Sequence, residues 1–269
     1  NRRLLVADEV GLGKTIEAGH VMLELKARRE LRNVLIVCPK SLQEKWKVEL
    51  IEKFGLSFKI YESAKDLISE LEDHRGDVRA IINYEKIRMK RDDEDNDDEG
   101  NNQNSKDKKA KKKKREKDPK KNLIDYLLLK GGRFRLVLCD EAHKMRNVYK
   151  RTNIIGNTMM NTFKHYKKVL LTATPLQNNL KELYGLISII DPHFFSTVDS
   201  FNEQYNMITT RDSAKFGELK GRLSHIVHRT LRQQVKEYVN YTKRTAFVQE
   251  YEASPEEVQL YENISEYLQ

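Results

Sequence analysis

Leu4-Leu5-Val6-Ala7-Asp8-Glu9-Val10-Gly11-Leu12-Gly13-Lys14-Thr15-Ile16-Glu17-Ala18-Gly19 is the stretch on which the fold turns. A short apolar run gives way to acidic residues and two glycines, then to Lys14-Thr15 at the head of a helical pattern. The run reads as a strand buried on both faces, and the glycines as the turn from its end into a helix. Such a turn is a phosphate cradle: glycines leave backbone N–H groups unhindered, and the helix N-terminus adds its partial positive charge. On this reading Gly11, Leu12, Gly13, Lys14 and Thr15 hold the phosphates of a nucleotide. Lys14 reaches the β- and γ-phosphates and the Thr15 hydroxyl ligates Mg²⁺. The general phosphate-loop pattern has Gly where this chain has Asp8, so the loop taken alone also admits a chance Gly-Lys-Thr turn.

Outward from this stretch, similar runs recur at 33–38, 80–83, 135–139 and 169–172, each short, rich in β-branched residues and Leu, and without alternation. Helical patterns lie at 15–29, 41–54, 64–72 and 122–129. Alternating strand and helix predict an α/β fold, an open and mostly parallel sheet covered on both faces. Ligands of such sheets bind at the carboxyl ends of the strands, so the residues after each run are the candidates for chemistry.

Two further strand ends carry suitable groups. Asp140-Glu141-Ala142-His143 follows the run at 135–139. An Asp there can hold Mg²⁺, and the Glu beside it can orient and deprotonate an attacking water. Leu171-Thr172-Ala173-Thr174-Pro175-Leu176-Gln177-Asn178-Asn179 closes the run at 169–172. Its hydroxyls and amides suit a sensor of the γ-phosphate; alone it would also serve as a polar turn.

Composition narrows the class. With 269 residues, 38% of them hydrophobic, the chain can bury a sizeable core and is no disordered polymer. No apolar run approaches the roughly 20 residues of a membrane span, and Asn1-Arg2-Arg3 begins no signal-peptide pattern, so membrane partners are not expected. Cys38 and Cys139 each close an apolar run and form neither a zinc motif nor a disulfide framework; buried reduced thiols are expected. Lys and Arg number 50 against 41 Asp and Glu, a net +9 that favours nucleic acid as partner. Segment 91–121 joins an acidic block to a basic one, with 12 Lys and Arg against 10 Asp and Glu. With few apolar residues it is expected as a disordered insertion, a DNA-binding arm or localisation signal being the alternative. The rest of the chain keeps 38 against 31, so most of the basic excess belongs to the folded part.

After residue 177 the strand rhythm stops. Helices are expected at 179–190 and 217–228, a short β run at 245–248, and a last helix announced by Ser254-Pro255-Glu256-Glu257. There Ser254 is the N-cap, Pro255 the first helical residue and Glu257 the partner in a capping box. This divides the chain into a nucleotide-binding lobe over 1–177, a helical stretch over 178–240, and a tail over 241–269 without a core of its own.

Together, the phosphate loop with its Asp8, the Asp140-Glu141-Ala142-His143 box and the Thr172-Ala173-Thr174-Pro175 run resemble the first RecA-like lobe of superfamily-two helicase-type ATPases. Cys38-Pro39-Lys40-Ser41-Leu42-Gln43-Glu44-Lys45-Trp46 is similar to motif Ia of the Swi/Snf-type branch, and Thr174-Pro175-Leu176-Gln177-Asn178-Asn179 with Glu182-Leu183 is close to diagnostic of it. The resemblance covers nearly the whole chain except the charged insertion. Val10, Glu17 and Ala173 look like the bacterial RNA-polymerase-associated and stand-alone prokaryotic members; eukaryotic members usually have Met and Gln at positions 10 and 17. Arg229-Thr230-Leu231-Arg232 and the lysine-rich insertion echo eukaryotic remodellers.

The resemblance implies a RecA-like three-layer sandwich with a C-terminal helical protrusion and linker over 178–240, and the start of a second lobe over 241–269. It implies ATP and Mg²⁺ as cofactors, Glu141 and Lys14 as catalytic residues, Thr15 and Asp140 as Mg²⁺ ligands, and His143, Thr172, Thr174 and Gln177 as coupling residues. Lys40, Ser41, Trp46 and the Tyr84 of Asn83-Tyr84-Glu85 are expected on a DNA track, Trp46 suiting core packing equally well. His225, His228 and Arg229 are expected in packing and surface charge, not as metal ligands. The implied partners are double-stranded DNA, a second RecA-like lobe of the same parent chain, and RNA polymerase or another DNA-bound protein. A nucleoid-associated cytoplasmic location follows for a prokaryote and a nuclear one for a eukaryote. The implied activity is ATP-driven translocation on duplex DNA, with strand-separating helicase and non-catalytic binding module as alternatives. An adenine-reading Gln segment is expected before Asn1 and the second lobe's arginines after Gln269. Such an arginine is worth roughly 10³ to 10⁵ in rate, so weak binding and slow or no hydrolysis are expected of this chain alone.

Overall fold

The computed structural model describes residues 3–73, 76–87, 123–130, 134–205, 213–235, 237–238 and 246–267. The expected insertion at 91–121 lies outside the described residues. Seven strands form one sheet: β1 (Arg3–Val6), β2 (Val34–Cys38), β3 (Lys59–Ile60), β4 (Arg79–Asn83), β5 (Leu136–Cys139), β6 (Lys167–Leu171) and β7 (Val227–His228). Their order is β3-β4-β2-β5-β6-β1-β7, and every pairing is parallel.

Parallel strands need crossovers, and the helical segments supply them. Helices α1 (Lys14–Ala27) and α2 (Gln43–Phe54) cover one face, where Ala18, Met22, Trp46 and Leu50 pack with Val6, Val34, Ile36 and Cys38. The other face is covered by α3 (Ala64–Asp73), α4 (Leu123–Lys130), α5 (Ile154–Thr162) and α6 (Leu180–Ile190). Leu67, Ile124, Met159 and Ile187 meet Leu5, Leu35, Val37 and Leu170 there. Alternate residues of one strand thus feed opposite cores, which is why β2 is buried at all five positions and reads as an unbroken apolar run. Both cysteines are free and buried as expected. Burial pushes the Cys38 thiol up to about 12 and the Cys139 thiol higher still, so neither is a reactive thiolate.

From β1 the chain crosses to β2, leaving two places that β5 and β6 later fill. Such a reversal opens a crevice at the carboxyl edge. Register brings the strand ends level there, with Val6 beside Leu171, Cys139 beside Leu170, and Cys38 beside Asn83.

Helices α7 (Val198–Tyr205) and α8 (Ser213–Leu223) add Phe201, Tyr205 and Leu219 to the same core as α6. The region after residue 177 is therefore continuous with the lobe. The chain divides into Asn1–Arg232 and Gln233–Gln269, a boundary set by packing that differs from the divisions expected near 177 and 240. The helix expected over 217–228 ends at Leu223, and Val227-His228 pairs with β1 instead. The outer edge of β1 needs acceptors: Leu5 N–H donates to the Ile226 carbonyl at 2.8 Å and Ala7 N–H to that of His228 at 2.7 Å.

In the second unit, the β run expected at 245–248 is not formed over 246–250. Helix α9 (Pro255–Tyr267) starts at the expected capping box. Ser254 N–H donates to the Glu257 carboxylate at 2.8 Å, and Glu257 N–H to Ser254 Oγ at 3.3 Å. Its Val258, Tyr261 and Ile264 are exposed, consistent with a tail lacking its own core. No helix among the described residues is long and apolar enough to cross a membrane.

Candidate nucleotide site

Beyond β1 the backbone enters the glycine turn. Gly11 and Gly13 have φ of +83° and +84°, the left-handed region where a side chain is strained. Gly13 caps α1 with no side-chain bond, and Lys14 is its first residue, so the opening amides of the helix face outward without intrahelical partners. Lys14 Nζ donates to the loop's own carbonyls, Asp8 O at 3.0 Å and Glu9 O at 3.3 Å. Its charge also bears on Asp140, favouring the ionised carboxylate there.

Asp140 stands where β5 ends, and each of its polar atoms is held from a different direction. Its N–H donates to Val37 O at 2.9 Å. Its carbonyl accepts the Tyr84 hydroxyl. Oδ1 accepts Glu141 N–H at 2.8 Å, and Oδ2 accepts the Trp46 indole N–H at 2.8 Å. Burial raises the Asp140 carboxyl above its ordinary range, while those two N–H groups and Lys14 pull it back toward ionisation. Glu141 occupies the left-handed region at φ 52°, an unusual backbone for a residue with a side chain. Its carboxylate lies 3.1 Å from His143 Nδ1, which is 3.5 Å from Thr172 Oγ1. Thr172 Oγ1 in turn accepts Thr174 N–H at 3.2 Å. The ends of β5 and β6 are thus bridged by the residues expected to couple them.

Gln177 is reached through a side chain that the sequence did not single out. Arg146 Nη2 donates to Gln177 Oε1 at 2.6 Å, and Arg146 Nε lies 3.5 Å from Glu182 Oε1. Glu182, buried at the head of α6, accepts the Gln177 amide at 2.7 Å and the Asn178 amide at 3.2 Å. Burial would raise its carboxyl, but those amides and Arg146 outweigh it and hold it below the ordinary range. Helix α6 and the backbone at Arg146 approach so closely that a Cβ on Gly185 would lie 1.8 Å from the Arg146 carbonyl oxygen.

A second missed feature runs beside the phosphate loop. Pairing continues past β7 as Glu9 N–H donates to Thr230 O at 3.2 Å and Thr230 N–H to the buried Asp8 Oδ1 at 2.6 Å. Arg232 then reaches Val10 O with Nε at 2.9 Å and Nη2 at 2.6 Å, while its N–H donates to Glu9 Oε2 at 2.7 Å. Glu17 meets Asp8 from α1. Burial, the hydrogen bond to Asp8 and the Asp8 charge push the Glu17 carboxyl up to about 8 against the opposing pull of Lys14. A proton kept on Glu17 gives a donor toward Asp8, whose buried Oδ2 has no other partner. His228, expected on the surface, does lie there, but brings a ring nitrogen within 4.8 Å of both carboxylates.

Of the residues expected on a DNA track, Lys40 and Ser41 are exposed in the turn after β2. Trp46 and Tyr84 are corrections: at 2% and 5% exposure they lie inside, bonded to Asp140. Trp46 is one turn before Leu50 on the inward face of α2, so its indole packs under the sheet edge.

The donor set fits a nucleotide with a divalent cation. Helix-terminal amides, an ammonium and glycines with positive φ suit phosphates, while the Thr15 hydroxyl and the Asp140 carboxylate offer the hard oxygen ligands Mg²⁺ takes. The Sulfolobus solfataricus SWI2/SNF2 ATPase core, solved in complex with double-stranded DNA, shares the fold: TM-score 0.57, 21% identity, 86% of this chain and 40% of that one. The uncharacterised ATP-dependent helicase YqhH of Bacillus subtilis is 28% identical over 266 residues, 98% of this chain and 39% of YqhH. The RNA polymerase-associated protein RapA of Histophilus somni is 26% identical over 203 residues, 75% of this chain and 18% of RapA. The chain therefore spans well under half the length of these proteins. A model of the SNF2-related domain matches residues 1–268, the phosphate loop, acidic strand end and polar turn included, and the chain belongs to that family of helicase-like ATPases.

Proposed function

We propose that this chain is the nucleotide-binding lobe of an ATP-driven translocase that tracks along double-stranded DNA and displaces bound protein without separating strands. The observation that carries the reading is the convergence of Lys14, Asp140, Glu141, His143 and Thr172 at level ends of the neighbouring strands β1, β5 and β6. The amides of Gly11, Leu12 and Gly13 with those of Lys14 and Thr15 bind the phosphates. Lys14 leaves the Asp8 and Glu9 carbonyls for the β- and γ-phosphates. Thr15 and Asp140 would hold Mg²⁺, which when bound supplies charge neutralisation at the transferred phosphate. Glu141, whose carboxylate sits beside His143, orients the attacking water and takes its proton. His143, Thr172, Thr174 and Gln177 pass the state of the γ-phosphate toward α6. A second lobe supplies the arginine that stabilises the transition state.

Lys40 and Ser41 grip DNA phosphates without reading bases, as movement along any sequence requires. The solved Sulfolobus relative holds a duplex, and the polymerase association in the name RapA makes RNA polymerase a candidate obstacle on the track. The test uses the full-length protein with blunt duplex DNA. Duplex is expected to stimulate ATP hydrolysis and to drive release of a bound third strand, with no unwinding of a forked duplex. Glu141→Gln is expected to retain ATP binding and lose DNA-dependent turnover. Strand separation would replace the reading with a helicase. ATP affinity unchanged by Lys14→Ala would replace it with a non-catalytic binding module.

A further inference from the structure

The geometry points to Trp46 as a positioning residue for Asp140, whose indole N–H fixes the carboxylate in the orientation a divalent cation meets. The inference rests on the nucleotide-site reading above and adds to it a residue that motif reasoning placed on the DNA surface. Trp46 is 2% exposed and donates to Oδ2 at 2.8 Å across 94 residues of sequence. Oδ1 is occupied by the Glu141 amide at 2.8 Å. Each carboxylate oxygen has two lone pairs and spends one, so both retain a lone pair for a cation while the plane of the group is locked. Without the indole, Oδ2 has no protein donor in its hydrogen bonds, and the carboxylate is free to turn about its Cβ–Cγ bond.

Trp46 also stands near the exposed turn after β2. It lies in the first turn and a half of α2, directly after the turn Lys40–Leu42 with its exposed Lys40 and Ser41. Tyr84, in the turn after β4, holds the Asp140 carbonyl. Outer hydrogen-bond partners of metal ligands are typically worth 10- to 100-fold in metal affinity.

Trp46 is the single tryptophan of the chain, so it reports on itself. Mn²⁺ with ADP is expected to quench its emission saturably, because the cation sits one carboxylate away from the indole. Trp46→Phe is expected to weaken Mn²⁺ binding in the presence of ADP about 10- to 100-fold, read by electron paramagnetic resonance, and to leave metal-free ADP affinity unchanged. A merely structural tryptophan would lower both affinities together. A folded Trp46→Phe with wild-type Mn²⁺ affinity overturns the proposal, as does wild-type emission that is silent while Mn²⁺ and ADP bind. If the variant does not fold, the emission arm decides alone. A wild-type chain that binds no Mn²⁺ with ADP overturns the nucleotide reading, and this inference with it.

Discussion

Arg232 closes over the phosphate loop by donating to the Val10 carbonyl from both Nε and Nη2, at 2.9 and 2.6 Å. A Cβ on Gly11 would come within 3.5 Å of that same Nη2. Arg232 is also the last residue of the first unit. The end of the first unit is thereby fastened to the glycine turn after β1.

Arg232→Ala should loosen the loop before nucleotide arrives. Two hydrogen bonds from a charged donor, at about 1.5 to 3 kcal/mol each in favourable settings and less when exposed, predict about tenfold weaker ATP binding by calorimetry. Arg232→Lys, with a single point donor in place of a fork, should recover only part of it. Equal ATP affinity in Arg232→Ala would show that the clasp does not shape the loop.

Glu17 predicts a pH dependence whose sign is definite. Its carboxyl is raised from 4.5 to about 8 in the folded chain by burial and by Asp8, with Lys14 and His228 the other charged or titratable groups nearby. The folded chain then holds a proton that the unfolded chain releases above about pH 4.5. Stability from this group is full below pH 4.5 and is lost as pH rises through 8. Glu17→Gln is neutral at every pH and keeps a donor toward Asp8. The variant should match the parent near pH 5 and exceed it at pH 8.5 by about 1 kcal/mol after solvent screening, measured by chemical denaturation. A gap that does not vary with pH would mean that Glu17 ionises normally.

The parts legible in the sequence are those whose cause is local. Five unbroken apolar runs gave five of the seven strands because residues such as Leu35 and Ile36 serve opposite cores and leave no polar face. Asp140 and Thr172 could be placed because one immediately follows and the other closes such a run, and Lys14 because the glycine turn after the run at 4–7 leads straight into it. Trp46 and Arg232 could not: their partners lie 94 and 222 residues away, and nothing beside them in the chain specifies the contact. β7 was hidden for a related reason. Val227 and His228 continue the apolar spacing of Leu219 and Leu223, and only the open edge of β1 turns them into a strand. The helix α5 was missed because its start depends on Asn153 accepting Gly156 N–H at 2.9 Å, a cap not followed by a clear apolar stripe.

Gly185→Ala tests how tightly α6 is stacked on the backbone at Arg146. The added methyl would sit 1.8 Å from the Arg146 carbonyl oxygen, which belongs to backbone and cannot swing aside. Either α6 or the loop at Arg146 must shift, pulling Glu182 from the amides of Gln177 and Asn178. A loss of at least about 1 to 3 kcal/mol is expected on overpacking grounds, with Glu182→Gln losing less because it keeps an acceptor. Wild-type stability in Gly185→Ala would mean that α6 and the backbone at Arg146 are not packed as described.

Lys168 supplies the remaining test through its burial. It lies in β6 with no exposed surface, and its Nζ donates to Ile189 O in the last turn of α6, where an otherwise unpaired helix-end carbonyl accepts a cation well. Burial first, then the nearby Arg3, push its ammonium down from 10.5 to about 8, with Cys139 and Asp191 opposing. Between those values the unfolded chain holds a proton that the folded chain has released, so stability from this group rises as pH climbs from 8 toward 10.5. Other groups titrate in the same range, Tyr84 and both cysteines among those shifted by burial. Lys168→Met therefore serves as the reference, because the contributions of Tyr84 and Cys38 are common to both chains and cancel in the difference, leaving only Cys139, which Lys168 faces, to change with it. At pH 7 the variant escapes the cost of burying a charge but leaves the Ile189 carbonyl without its donor, and the two effects oppose. On raising the pH to 10 the wild type should gain on the variant by up to about 3 kcal/mol, measured by urea denaturation at each pH. A difference that stays constant would show that Lys168 remains charged in the core and that the Ile189 carbonyl alone sustains it.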